Sequence, residues 1–214
     1  LIDSTMKSGQ GVRQTGPFAA ARIGKYDLDV AGELDTTVIT GLLGYAFNVQ
    51  NSEVGVFMEM GHGTYDTRTV TTEPVGEAEG DGKHNYVGFG IYGNYATPID
   101  WLHVTGYVKG GWLRNEFSVS LDGVSANFDC TSNYWGAHLG AYGEFQASEK
   151  FKSRTFLNYF YDGRESESYE ASGSSAVAGA RFHFDALNVH RVQAGSLFEY
   201  QHSSALRPYA AVTY

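Results

Sequence analysis

The sequence is poor in cysteine, in proline and in long apolar segments. It has one cysteine, Cys130, and four prolines among its 214 residues, so no disulfide framework can form within the chain. The longest apolar stretches, such as Leu42 to Phe47 with its internal glycine, fall far short of the roughly 20 residues that a membrane-spanning helix needs. A helical membrane protein and a disulfide-stapled domain are therefore excluded.

Positive charge and enzyme motifs are scarce as well. The chain carries 15 Lys and Arg against 24 Asp and Glu, a formal net charge of -9, which disfavours nucleic acid as a partner. There is no G-x-S-x-G, H-E-x-x-H, C-x-x-C or phosphate-binding loop. Gly88, Gly90 and Gly93 spell G-x-G-x-x-G, but they lie within a strand pattern rather than before a helix. The sequence predicts no catalytic residue, no cofactor and no metal ligand.

Glycine and aromatic residues are abundant instead, with 27 Gly, 15 Tyr and 13 Phe. From Tyr134 to Gln146 one alternate set is apolar, including Trp135, Leu139 and Phe145, and the other set is rich in Gly and Tyr. A soluble strand would carry Lys, Glu and Thr on its polar face, whereas Gly and Tyr suit a confined, wet interior. We therefore predict an all-β fold, an antiparallel transmembrane β-barrel with its apolar side chains toward lipid.

The alternating pattern recurs in segments long enough to cross a membrane, since a tilted strand needs about 9–11 residues to do so. The segments are Pro17 to Tyr26, Thr37 to Phe47, Glu53 to Tyr65, Asn85 to Thr97, Trp101 to Phe117, Asn133 to Ala147, Phe151 to Tyr161, Val189 to Gln201 and Arg207 to Tyr214. They predict about nine strands, whereas a closed bacterial barrel needs an even number.

The connections between these segments alternate in length, which predicts short periplasmic turns and long external loops. The short connections are Asn48 to Ser52, Pro98 to Asp100 and Ser148 to Lys150; the long polar ones are Asp66 to Lys83, Ser118 to Ser132 and Asp162 to Ser175. Ala176 to Asp185 also alternates, but the order of short and long connections assigns most of it to the extramembrane arm of a strand or loop. Counting it as a spanning strand would give ten.

Parity along each strand assigns its side chains to one of two faces. Charges belong on the lumen parity, because a midplane lysine facing lipid would cost roughly 2–4 kcal/mol. The predicted lumen-lining residues are Glu53, Glu59, Tyr86, Tyr92, Tyr107, Lys109, His138, Tyr142 and Glu144. The predicted lipid-facing residues are Val56, Met58, Phe89, Ile91, Val104, Val108, Leu139 and Phe145.

Four hairpin segments and the last 31 residues resemble the translocator domain of autotransporters, the proteins of type V secretion. The hairpin segments are VFMEMGHGTY from Val56, YVGFGIYGNY from Tyr86, GGWLRNEF from Gly110 and YWGAHLGAYGEF from Tyr134. Phe184 to Tyr214 is similar to the family's strand, short turn and Pro-Tyr strand. Each motif is only Gly and aromatic spacing, so their order along the chain carries the resemblance, which covers most of the sequence.

The resemblance implies a twelve-stranded barrel in the outer membrane of a Gram-negative bacterium, with about 9–10 of the strands in this chain. It implies a non-enzymatic translocator that anchors and exports an N-terminal passenger. Its partners would be outer-membrane lipid, its own passenger and the barrel-assembly machinery. Residues 1–14 are expected to be a linker and 15–214 the barrel domain, which lacks the family's last three strands and terminal aromatic residue. Any export signal is expected upstream of Leu1.

Two other functions stay open from the sequence. An outer-membrane enzyme similar to the omptin proteases would place Asp and His groups at the outer rim, for which Asp66, Asp162 and His84 are available. A small porin would need a wider and more charged lumen than Gly and Tyr provide.

Three further features invite chemistry but have simpler interpretations. His103 and His138 are predicted on adjacent strands near acidic residues, and we interpret them as hydrogen-bonded lumen residues, because no third ligand has metal-site spacing. The acidic segment Asp66 to Lys83 lacks the residue order of a calcium loop. Cys130 either pairs with another chain or is a free thiol.

Overall fold

The structure is a computed structural model that describes residues 15–29, 33–72, 75–121, 124–148, 150–174, 178–179, 181–200 and 209–213. The predicted linker, 1–14, lies outside the described residues. The strands are β1 Gly16–Asp29, β2 Glu33–Val49, β3 Ser52–Thr72, β4 Val75–Ala96, β5 Leu102–Leu121, β6 Val124–Gln146, β7 Phe151–Arg164, β8 Glu167–Glu170, β9 Ser172–Gly173, β10 Arg181–Phe184, β11 Leu187–Tyr200 and β12 Tyr209–Thr213. None of the described residues forms a helix long and apolar enough to span a membrane.

One antiparallel sheet contains most of the chain. Its strand order is β1-β2-β3-β4-β5-β6-β7-β11-β12, with the short β9 beside β6. Within the described ranges no pairing joins β1 to β12, so the sheet is open there. The nine strands of this order correspond to the nine segments predicted from alternation, which confirms the all-β antiparallel fold.

The long polar connections predicted as external loops are arms of β-hairpins instead. β3 and β4 stay paired out to Thr72 and Val75, and β5 and β6 do so out to Leu121 and Val124. The loop predictions for Asp66 to Lys83 and Ser118 to Ser132 were therefore wrong. A hairpin that is in contact with water on both faces can carry many polar side chains and still keep its backbone hydrogen bonds unbroken. Its amino-acid composition then resembles that of a loop, which is why composition predicted loops here.

The third predicted loop, Asp162 to Ser175, is also largely strand. β7 continues to Arg164, and β8 pairs with β10 in a small sheet with Phe184 opposite Glu167. Because Leu187 lies opposite Arg164 in the main sheet, β8 and β10 prolong the β7–β11 hairpin. β10 thus lies outside the main sheet, in agreement with the prediction that most of Ala176 to Asp185 is not a spanning strand.

The sheet is strongly curved, with one concave and one convex face. The rings of Phe18 on β1 and Tyr92 on β4 have centroids 5.6 Å apart, although β2 and β3 lie between these strands. Strands are spaced about 4.8 Å apart, so three steps across a flat sheet would be about 14 Å. Only side chains that lean toward each other over a concave surface can meet at this distance.

Apolar side chains and glycines pack together on the concave face. Leu42, Ala46, Phe57 and Tyr92 form its buried apolar cluster. The ring of Phe57 lies against Gly90 of the neighbouring strand, where a Cβ would come within 2.6 Å of the ring and of the Val108 carbonyl oxygen. Because glycine has no side chain, the large rings can lie against the backbone of the neighbouring strand and become buried there.

Candidate functional site: a charged cluster on the concave face

The concave face holds a buried ion pair between β3 and β5. Lys109 Nζ lies 2.9 Å from Glu59 Oε1 and 3.2 Å from Oε2. The Glu59 side chain is 8% exposed and that of Lys109 18%. Tyr134 on β6 donates its hydroxyl to the same Glu59 Oε1 at 2.8 Å. We call Glu59, Lys109 and Tyr134 the Glu59 cluster.

The backbone below the Glu59 cluster consists largely of glycine. Gly88 lies opposite Glu59 in the β3–β4 register, and a Cβ on it would be 3.0 Å from Tyr134 Cζ. Gly136 lies opposite Lys109, and a Cβ there would be 2.8 Å from Lys109 Cε. Without side chains at these positions, the lysine and the tyrosine can reach across intervening strands to a single carboxylate.

The cluster balances its charges locally. One carboxylate receives an ammonium group and a phenol hydroxyl, and the Lys109 ammonium also lies 5.7 Å from the centre of the Tyr134 ring. Such a group is held by strong charge-assisted hydrogen bonds. The three side chains therefore form a rigid polar cluster that links β3, β5 and β6.

Other predicted lumen residues also form pairs on this face. Tyr92 donates its hydroxyl to Glu53 Oε1 at 3.0 Å, and the Tyr86 hydroxyl lies 2.7 Å from Thr40 Oγ1. The ring of Tyr107 lies between Phe57 and His138, with centroid distances of 6.3 and 5.1 Å. Each of these contacts joins residues of different strands.

His138 is buried among aromatic rings and the Asn158 amide. Its Nε2 lies 3.1 Å from Asn158 Oδ1, and its ring stacks on Phe160 at 4.6 Å. His103, instead of meeting His138, stacks on Tyr142 at 4.7 Å. Among the described residues no group of three or more His, Cys, Asp or Glu could hold a metal ion.

Tyr142 and Glu144 contact Arg154 near the short-turn end of the sheet. The Arg154 guanidinium lies 4.7 Å from the centre of the Tyr142 ring, and its Nη2 contacts Glu144 Oε1. The Glu144 side chain is 46% exposed, so its carboxylate is far more solvent-accessible than that of Glu59.

The convex face carries a band of exposed apolar side chains, among them all eight predicted lipid-facing positions, with Met58 and Val104 only partly exposed. Its most exposed members include Val56, Phe89, Ile91, Val108, Leu139, Phe145, Leu157 and Val192. On β4 the band runs from Tyr95 to Val87, about 27 Å along the strand at 3.4 Å per residue. At a strand tilt of about 35–45° this segment spans about 19–22 Å across the membrane, close to the apolar height of about 25 Å of an outer-membrane barrel.

Polar residues form the border of this apolar band at the end of the sheet with the long hairpins. His62, Asn85 and Arg114 are cross-strand neighbours there, and the His62 Nδ1 lies 2.7 Å from Asn85 Oδ1. Further out, Arg114 Nη2 donates to Asp129 Oδ2 at 2.7 Å. This hydrogen bond and the guanidinium charge lower the pKa of the exposed Asp129 carboxyl.

Sequence analysis missed Tyr134, Thr40, Asn158 and Arg154 as members of these pairs. Alternation assigns Tyr134 to the Gly- and Tyr-rich set of its strand, together with His138 and Tyr142. Its partner could not be found that way, because Glu59 lies three strands away in the sheet.

The antiparallel sheet is curved, its convex face carries a band of exposed apolar side chains, and its concave face holds polar groups that lie over glycine residues. These features together define a transmembrane β-barrel protein. The family model of the autotransporter beta-domain matches residues 19–214. The chain belongs to that family. It is an outer-membrane translocator of a Gram-negative bacterium that exports a passenger.

Solved structures support the fold. The chain is similar to the β domain of the Bordetella autotransporter BrkA, with 14% identity and a TM-score of 0.63 over 92% of this chain and 78% of that one. It is also similar to the translocator domain of the autotransporter NalP from Neisseria meningitidis, with 15% identity and a TM-score of 0.67 over 99% and 71%. No curated protein matches the chain.

Proposed function

We propose that the concave face is the wall of the export path and that the convex band contacts outer-membrane lipid. The residues that line the lumen are Glu53, Glu59, Tyr86, Tyr92, Tyr107, Lys109, His138, Tyr142 and Glu144. The observation that carries the proposal is the segregation of the two faces: the Glu59 cluster is buried on one side while Phe89, Ile91 and Leu139 are more than half exposed on the other.

The direction of the chain supports a passenger attached ahead of β1. Gly16 lies opposite Ala46, close to the tight turn after Val49, so the chain enters the barrel at the end with short connections. A passenger joined there has to cross the bore to reach the end that carries the long hairpins. We assign 15–214 to the barrel domain and 1–14 to the linker before it, and we expect the barrel-assembly machinery to insert the domain.

Nitroxide labels test this assignment of faces. Labels at Phe89, Ile91, Leu139 and Phe145 should be relaxed by oxygen dissolved in the bilayer, because successive side chains of a strand point to opposite faces. Labels at Tyr92 and Tyr142 should be shielded from it. The measurement is power-saturation electron paramagnetic resonance in lipid vesicles, and the reverse order of accessibility would contradict the proposal.

We further propose that the barrel has no hydrolytic activity of its own. The omptin-like alternative is not favoured. Asp162 shares the concave face with His84, but in register it meets β6 at Gly136, whereas His84 meets β6 at Cys130, about 20 Å away along the strand. Asp66 lies on the convex face and is exposed, whereas the side chain of His84 on the concave face is half-buried. Two groups on opposite faces of one sheet cannot act on one bond. The porin alternative is not favoured because rings and a neutralised carboxylate occupy the described interior.

Substitution of the interior histidines distinguishes packing from catalysis. His138→Ala should lower barrel stability by about 1–3 kcal/mol, since Asn158 loses a hydrogen-bond partner in a buried place, yet the passenger should still reach the cell surface. The measurement is protease accessibility of the passenger on intact cells, normalised to folded barrel, with the exposed Glu144→Ala as control. Loss of a defined hydrolysis product in a folded His138→Ala barrel would contradict the proposal.

A further inference from the structure

A row of aromatic rings crosses the concave face beyond the apolar band. Tyr65 on β3, Phe117 on β5 and Phe128 on β6 lie in one cross-strand register, with Gly82 of β4 between the first two. The ring centroids of Tyr65 and Phe117 are 6.0 Å apart, and those of Phe117 and Phe128 are 5.8 Å apart. Tyr169 on β8 continues the row at 6.2 Å from Phe128. We call these four residues the exit row.

The exit row lies on the hairpin extensions, outside the lipid-facing part of the sheet. Trp112 is the last exposed apolar residue of β5 on the convex face, and Phe117 follows five positions later, about 17 Å further along the strand. The charged side chains of Lys83, Glu116 and Asp129 occupy the convex face at this height. Water therefore reaches the convex side of the extension.

The two faces of the hairpin extensions carry different kinds of side chain, and the stability of the strands does not require this difference. A hairpin arm that only prolonged the sheet into water could be polar on both faces, yet here a row of aromatic rings crosses the inner face while charged side chains occupy the outer face. Phe117 and Phe128, on the inner face, are partly exposed, whereas Tyr169 is buried. A stripe of aromatic rings that stays partly exposed on one face of a protein in water is typical of a binding surface.

The position of the stripe identifies its partner. The exit row stands on the same face as the Glu59 cluster, at the end of the sheet with long hairpins, so it continues the wall of the export path. A polypeptide leaving the bore meets these rings first. Aromatic rings bury apolar area against many partners at low entropic cost, which suits an extended chain of varying sequence.

We propose that the exit row binds the passenger as it leaves the bore, in the form of an extended polypeptide with apolar side chains, and so opposes its sliding back. This inference rests on the proposed function, in which the concave face is the export path. Gly82 contributes by leaving room for the Tyr65 ring, because a Cβ there would be 2.5 Å from the Tyr65 hydroxyl oxygen.

Site-specific crosslinking in the full-length protein tests the contact. Benzoylphenylalanine is placed at Phe117 or Phe128, and the passenger is arrested in transit by a disulfide-bonded loop within it. We expect crosslinks to the passenger from both positions and none from the matched control at Asp129, which is next to Phe128 but on the convex face. Tyr107, inside the sheet, serves as the reference for the export path.

The pattern of crosslinks separates the two proposals. Crosslinks from Tyr107 without any from Phe117 or Phe128 would overturn the exit row and leave the export path standing. Crosslinks from Asp129 as strong as those from Phe128 would also overturn the exit row. Absence of crosslinks from all inner positions, Tyr107 included, would overturn both.

A kinetic measurement adds a second test that does not depend on the crosslinker. The double variant Phe117→Ser and Phe128→Ser should slow surface appearance of the passenger about fivefold, as expected for the loss of partial apolar burial on two rings. The rate is normalised to folded barrel, which should be little changed because both residues lie beyond the lipid band. An unchanged rate would overturn the proposal.

Discussion

Replacing Glu59 with Gln is expected to lower the free energy of unfolding of the translocator by about 3 kcal/mol. The substitution keeps the shape of the side chain and its hydrogen bond from Tyr134, but it leaves the Lys109 ammonium without its counter-charge. Lys109 lies over glycine and next to the Tyr134 ring, with little access to water. The cost arises from that uncompensated charge, since an unpaired ion in a buried place loses its hydration without a replacement.

Urea unfolding of the protein in detergent micelles measures this effect, with tryptophan fluorescence as the signal. The double variant Glu59→Gln and Lys109→Met should recover most of the loss, because it removes both charges together. Glu144→Gln is the matched control: its pair with Arg154 is exposed at the carboxylate, and we expect a change below about 1 kcal/mol. Equal losses in Glu59→Gln and Glu144→Gln would contradict the buried ion pair.

The second large effect is expected at Gly111, where a single methyl group should cost about 3 kcal/mol or prevent folding, in the range of severe overpacking. A Cβ on Gly111 would overlap the Val87 carbonyl oxygen and lie 2.9 Å from its carbonyl carbon. These are backbone atoms of the neighbouring strand. No rotation of a side chain can relieve the overlap, so β4 and β5 would have to separate at the centre of the sheet.

Gly110 provides a control one residue away. A Cβ there would point to the convex face, and its nearest neighbour would be the Tyr134 carbonyl oxygen at an ordinary 3.5 Å. Gly110→Ala should therefore stay within about 0.5 kcal/mol of the parent or stabilise it slightly. The check is the fraction of each variant that keeps its heat-modifiable mobility in electrophoresis after reconstitution. Similar loss in both variants would show that the close approach of the strands at Gly111 is not the cause.

The alternation of apolar and polar residues predicted most of the strands correctly, because it depends only on the local backbone conformation. A period of two separates Phe89 from Tyr92 whatever the rest of the chain does, so the strands and the two sets of side chains could be found from the sequence. The partners of Glu59 could not, because Tyr134 reaches it only through the curvature of the whole sheet and the glycines between. The label experiment described above tests whether those two sets face lipid and lumen.

The wrong loop predictions have a different cause. Between Asp66 and Lys83 charged residues are frequent on the convex face, and such a composition in water is compatible with loop and strand alike. The inner parity still carries Tyr65, Thr67, Gly80 and Gly82 in register across β3 and β4. The backbone ladder of the hairpin, and not the burial of one face, maintains the strand there.

The entry of the chain into β1 beside the tight turns affects how the protein could be used to present foreign cargo. If the concave face is the export path, as we propose, a cargo joined ahead of Gly16 is threaded through the bore, so its folded diameter and its speed of folding would decide whether it arrives. A graft at the tip of the β3–β4 hairpin, between Thr72 and Val75, is instead carried along with the sheet as the sheet itself is assembled. The protein therefore offers two grafting positions. The position ahead of β1 accepts cargo that can stay unfolded during export, and the hairpin tip accepts cargo that folds with both of its ends fixed.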